Sequence, residues 1–247
     1  MALGMGVLPK PSPISHFDSA VHMLRGFYHS TVGKKIIMAV TGLIGVGFVI
    51  LHAAGNLQAF AGRDKINAYS ALLHGPGAEL LWIMRAVLIA AVVLHVMMAV
   101  QLTRRARRAR PTGYHEREPQ VSTISSRTMR WGGALLLVFI VVHLLHFTTH
   151  QVDPAHWARR VDASGRYDIY GNVVASFRIW WVSVFYLIAM GALGLHLWHG
   201  VWSVGRSLGV AKPSPHPLRR RVAPVLAVAL WLGFSLVPVA VLAGWIR

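Results

Sequence analysis

The chain has 247 residues, of which 55% are hydrophobic and only 13% charged. A soluble domain of this size carries about a quarter charged residues, and here the charges are bunched between long uncharged runs, so a soluble globular fold is excluded. The absence of cysteine rules out disulfides, iron–sulfur clusters and thiolate-bound haem on this chain.

Residues 1–35 read as a cytoplasmic lead-in. The stretch 1–27 lacks the basic, apolar and cleavage-site pattern of a secretory signal, and Pro9, Pro11 and Pro13 keep its start irregular. Apolar runs of about 20 residues match the hydrocarbon thickness of a bilayer. They predict five spans, at 36–54, 80–102, 131–150, 179–204 and 222–246. Residues 36–247 are therefore expected to form one all-α membrane domain, a five-transmembrane-helix bundle. The fifth span has no histidine and reads as a packing helix. No internal repeat is evident.

Basic residues orient the spans. Those flanking the lead-in side, the second loop and the fourth number 17, against 7 on the opposite side, with Arg85 inside the second span. Basic residues concentrate in cytoplasmic loops, so the N-terminus is expected in the cytoplasm and the C-terminus outside. The same asymmetry accounts for most of the net charge of +17, which in a soluble protein would suggest nucleic acid. Loop 151–177 is the longest outer connection, with Asp153, Asp162 and Asp168 offsetting its arginines. The polar inner loop 111–126 is expected to dock on a partner or lie on the surface.

Polar side chains at bilayer depth are costly and mark function. Four spans carry histidine: His52, then His95, then His143 with His146, then His196 with His199. Imidazole is a common axial ligand of haem iron, and a b-type haem held from both faces needs two histidines on different helices at one depth. Measured from the cytoplasmic basic residues at about 1.5 Å per residue, His52 and His143 lie roughly 27 and 20 Å deep. His95 and His196 lie about 14 and 15 Å deep. The expectation is two stacked haems b, an outer one on His52 and His143 and an inner one on His95 and His196.

His146 and His199 each follow a ligand candidate by three residues and read as groups for a propionate or a quinone. His150 reads as a solvated boundary residue, and His22, His29, His74, His115, His156 and His216 fall in lead-in or loop segments. Gly45 and Gly132 share a face with His52 and His143, where a small residue would let a porphyrin approach. Packing of small residues between membrane helices explains them equally well.

Several pieces together resemble a known family. They are Gly33-Lys34-Lys35-Ile36-Ile37-Met38-Ala39-Val40-Thr41-Gly42, Leu51-His52-Ala53-Ala54-Gly55-Asn56-Leu57, Arg85 with Leu94-His95, Val142-His143-Leu144-Leu145-His146-Phe147, and His196-Leu197-Trp198-His199-Gly200-Val201-Trp202-Ser203. In this order they resemble the single-chain, five-helix dihaem cytochrome b anchor of succinate dehydrogenase and menaquinol:fumarate reductase. The resemblance runs from about residue 28 to the end.

It implies the same two haem pairs, and a place in the bacterial cytoplasmic membrane. It also implies a flavoprotein and an iron–sulfur subunit as partners, with menaquinone as the substrate served by this chain. Glu79 would then be a candidate proton group for the quinone, or equally an interfacial charge, and Arg85 a partner for a haem propionate. Ser30, Lys34 and Lys35 would be candidates for a site beside the iron–sulfur protein, or topology anchors. No dicarboxylate chemistry is expected here. A dihaem cytochrome b of a hydrogenase, formate dehydrogenase or nitrate reductase is the alternative, and a haem-free scaffold or proton-conducting protein is a second.

Overall fold

The computed structural model describes residues 16–109, 123–152, 161–211 and 217–247. The lead-in prolines, Asp153, His115, His156, His216 and most of loop 111–126 lie outside the described residues. The helices are α1 (His16–His29), α2 (Thr31–Leu57), α3 (Arg63–His74), α4 (Ala78–Ala109), α5 (Ile124–Phe147), α6 (Ile169–Arg178), α7 (Trp180–Ser207) and α8 (Pro217–Leu242). A 3-10 turn, Gln58–Ala61, joins α2 to α3. Among the described residues β pairing is limited to one bridge, Val161 with Tyr167.

Helices α2, α4, α5, α7 and α8 are long and apolar enough to cross a membrane. Between 11% and 39% of each span is buried against protein, so most of their apolar surface needs lipid around it. Such side chains as Leu80, Ile83, Ile89 and Val138 are more than half exposed. The molecule is an all-α multi-pass membrane bundle.

Helix α2 packs against α4, α7 and α8, and α7 packs against α5 and α8. Helices α4 and α5 thus flank the central α2–α7 pair on its two sides. Helix α8 closes the back through Ala223, Ala227, Leu230, Val237 and Ala240, all buried; Leu197 and Ala53 join Ala227 and Leu230 in one cluster. Its small residues permit close approach to α7, in keeping with a packing helix.

Several boundaries differ from the hydropathy reading, as α4 runs on to Ala109 and α5 begins at Ile124. Helix α5 stops at Phe147 with Thr148 as its C-cap, and His150 beyond it adopts φ 56°, a left-handed conformation outside the helix. Helix α8 stops at Leu242, with Gly244 at φ 73° supplying the left-handed turn. The first span begins at Thr31, so the 35/36 boundary falls inside α2. Ser30 caps it: its Oγ accepts from Gly33 N at 2.8 Å and donates to Phe27 O at 2.8 Å. A Cβ on Gly33 would stand 1.9 Å from that carbonyl, so only glycine fits this corner.

Lys34 is also not a boundary residue. It is 2% exposed, its Nζ donates to Gln101 Oε1, and it lies 4.1 Å over the Tyr28 ring. Gln101 Nε2 donates to Tyr28 OH at 3.0 Å. Lys35, turned about 100° around the helix, is exposed.

At the opposite end, α3 and α6 form a cap over the bundle. Asn67, fully buried, donates to Asp168 at 3.0 Å and Asp162 at 3.2 Å, and accepts from Tyr170 N at 3.0 Å. Arg63 pairs with Asp168 at 2.7 Å, and Arg166 with Asp64 at 2.6 Å and Asp162 at 2.8 Å. Burial pushes the Asp162 carboxyl up, but hydrogen bonds from Arg166, Asn67 and Ser164 N outweigh it and hold its pKa down at about 2.

Candidate functional site: two histidine pairs across the bundle

The four spans with histidine bring those histidines into two ring-to-ring pairs. His52 on α2 faces His143 on α5, with ring centres 5.8 Å apart. His95 on α4 faces His196 on α7 at 6.2 Å. In each case the two helices lack the close backbone packing that α2 makes with α4 or α7 with α5. The imidazoles reach across the interior between elements held apart by their neighbours.

The levels are set by the helix lengths. His52 lies five residues and His143 four residues from the capped ends of their helices. His95 lies 17 and His196 16 residues from theirs. At 1.5 Å per residue the pairs are separated by about 18 Å along the bundle. This exceeds the spacing read from the basic residues, because Lys34, Arg104 and Arg130 stand inside their helices and do not mark a common plane.

The spacing has a chemical meaning. A metal–imidazole bond of about 2 Å, with the ring centre about 1 Å behind the nitrogen, puts two imidazoles that share one metal about 6 Å apart. Among the described residues no three His, Cys, Asp or Glu side chains converge as the ligands of a bare ion. Two axial ligands suffice where a porphyrin supplies the remaining four.

Local contacts orient the rings. His95 Nδ1 sits 3.0 Å from Met38 O and 3.3 Å from Thr41 Oγ1. With Nδ1–H donated to the carbonyl, Nε2 is left with the free lone pair. A Cβ on Gly42 would lie 3.3 Å from His95 Cε1, so the facing helix keeps a glycine where the ring passes. Gly133 has the same relation to His196, at 3.8 Å. Gly45 and Gly132 instead open onto free space.

His196 Nδ1 is buried with no hydrogen-bond partner, a cost of about 1–3 kcal/mol unless another group completes it. Beside it is a cavity of about 290 Å³ lined by Met129, Trp131, Gly132, Leu135 and Ile188. At His95 and His196 the donor set, the spacing and this apolar space fit a haem; at His52 and His143 the fit rests on the donor set and the spacing.

Near the capped end His143 Nδ1 is 3.4 Å from Tyr186 OH, and His146 Nδ1 is 3.0 Å from the same oxygen. His146 is 4% exposed and packs on Phe147 at 4.3 Å. Tyr186 therefore touches both histidines of α5. It is the residue that sequence reasoning missed, since a lone tyrosine in an apolar run carries no periodic signal. His52 stacks on Phe48 at 5.2 Å. His199 is half-buried one turn beyond His196.

Arg85 lies seven residues from the capped end of α4, close to the level of His52 and His143. Its guanidinium covers the Trp82 ring at 4.9 Å, and it has no carboxylate partner among the described residues. Glu79 is exposed in the first turn of α4, where the helix dipole favours a negative charge.

Comparison with family models, with curated proteins and with solved structures gives no match. The functional reading therefore rests on the residues themselves.

Proposed function

We propose that this chain is a dihaem cytochrome b that anchors a succinate:quinone oxidoreductase and carries electrons between an iron–sulfur subunit and menaquinone. The observation that carries this reading is the pair of histidine pairs, each at about 6 Å between rings and about 18 Å apart along the bundle. His52 and His143 would hold one haem, and His95 and His196 the other. Bound there, the haems would supply reversible one-electron chemistry inside the membrane.

The chain's own residues have definite tasks. Met38 O fixes the His95 tautomer, and Tyr186 OH steadies His143. Arg85 is a cation at bilayer depth that needs an anion, and a propionate is the anion nearest in kind. Glu79, exposed in the first turn of α4, would exchange a proton with solvent at the capped end.

The basic-residue asymmetry supports an orientation with the capped end outside, and the resemblance implies a bacterial cytoplasmic membrane. The iron–sulfur and flavoprotein partners would then dock at the opposite end, near the basic terminus of α4. The test is purification through this chain from its own membranes. Co-purification of a flavoprotein and an iron–sulfur protein, with a b-type band reducible by succinate, supports the reading. Co-purification with hydrogenase or formate dehydrogenase subunits, or a preparation without a b-type band, overturns it.

A further inference from the structure

The capped end has a feature that the histidine pairs do not use. A cavity of about 600 Å³ opens there, and its lining includes Arg63, Asp168, Gly171, Ala175, Arg178 and Arg247. This volume lies within the usual range of ligand pockets, about 300–1,000 Å³. Gly171, Ala175 and Arg178 stand at i, i+4 and i+7 on α6, one stripe of the helix. Gly171 and Ala175 make a floor of small residues, with Arg178 at its end.

The charges around the cavity are unequal. Asp168 is its only carboxylate side chain among those lining residues, and it is already engaged. It is 4% exposed, pairs with Arg63 at 2.7 Å, and accepts from Asn67 Nδ2 at 3.0 Å and Gly171 N at 3.1 Å. Arg178 and Arg247 have no carboxylate partner among the described residues. Arg247 Nε donates to Gly244 O at 2.8 Å, which steadies its guanidinium at the rim.

The level of the cavity is legible from its neighbours. Arg178 precedes Trp180 and Trp181 at the start of α7, and Arg247 follows Trp245 beyond α8. These tryptophans are 68%, 56% and 75% exposed. Exposed tryptophans at span ends mark the membrane–water interface. The cavity thus lies where lipid phosphates are concentrated, beside apolar helix surface that acyl chains can cover.

We infer that this cavity holds the headgroup phosphate of an anionic phospholipid between Arg178 and Arg247. The inference is independent of the haem reading, since it uses no histidine and no redox partner.

The test uses the full chain, purified in mild detergent and incubated with equal amounts of phosphatidylglycerol and phosphatidylcholine. Native mass spectrometry then counts the lipids retained. Wild type should keep phosphatidylglycerol preferentially, and the double variant R178Q/R247Q should lose that preference by about tenfold or more, as expected for two lost charge-assisted contacts. The variant R178K/R247K should retain much of it, which separates charge from folding. Equal retention of both lipids by wild type, or unchanged preference in R178Q/R247Q, overturns the inference. So does complete displacement of phosphatidylglycerol by millimolar inorganic phosphate, which would mark a site for free anions.

Discussion

The rings of His95 and His196 stand 6.2 Å apart at 57°, although α4 and α7 are not packed backbone to backbone. Two imidazoles brought side by side across a helix bundle gain little as neutral neighbours, and both are largely withdrawn from water. Their approach becomes favourable when something between them accepts both lone pairs. The same holds for His52 and His143 at 5.8 Å. The repetition at a second level turns a local oddity into a pattern.

Gly42 tests how tightly the His95 site is fitted. A methyl group there would lie 3.3 Å from His95 Cε1, and overpacking of this kind costs about 1–3 kcal/mol. If His95 and His196 hold a haem as proposed, Gly42→Ala should lower its occupancy or shift its potential and leave the other unchanged. Gly45→Ala meets nothing within 4 Å and should leave both b-type signals unchanged. Redox titration of purified membranes separates the two variants.

Tyr186→Phe removes one hydroxyl that reaches both His146 at 3.0 Å and His143 at 3.4 Å. A lost hydrogen bond costs about 1 kcal/mol, and loss of a ligand's orienting partner weakens a metal site by about 10–100-fold. The haem proposed on His52 and His143 should show reduced retention on dilution, while the one proposed on His95 and His196 is unaffected. Equal retention of both would show that Tyr186 only packs.

Lys34 and Lys35 are adjacent and should behave differently. Lys34→Met leaves Gln101 and Tyr28 without their buried partner and should destabilise the chain by about 1–3 kcal/mol. Lys35→Met, at an exposed position, should stay within about 0.5 kcal/mol of wild type. Thermal inactivation in detergent measures both.

The cap should be acid-sensitive in one direction only. The folded Asp162 carboxyl has its pKa lowered from 3.8 to about 2. A depressed carboxylate stabilises the fold above its unfolded value, and that contribution fades as pH falls through the folded one. Hydrogen exchange over 161–178 should therefore stay slow at neutral pH, and protection should drop between about pH 4 and 2. Asp162→Asn should lower protection at neutral pH and flatten this dependence.

The sequence makes some of this legible and hides the rest for physical reasons. Hydropathy marks the five spans because lipid contact demands long apolar runs. Depth groups the same four histidines that the fold brings ring to ring, since helix rise is constant. Helices α3 and α6 are short and half polar, so nothing in their composition separates them from loop. Their joint, Asn67 with Asp162 and Asp168, links residues about a hundred positions apart. The glycines beside histidines are also hidden. Gly42 serves His95 on the facing helix, whereas reading one helix at a time pairs each glycine with a histidine on its own strand of sequence.

The most direct measurement is haem content and the reduced-minus-oxidised spectrum of four single variants, His52→Ala, His143→Ala, His95→Ala and His196→Ala. Wild type should carry two haems b per chain. His95→Ala and His196→Ala should each lose the same haem, and His52→Ala and His143→Ala should each lose the other. Wild type without haem, or losses that pair the histidines in any other way, would contradict the account.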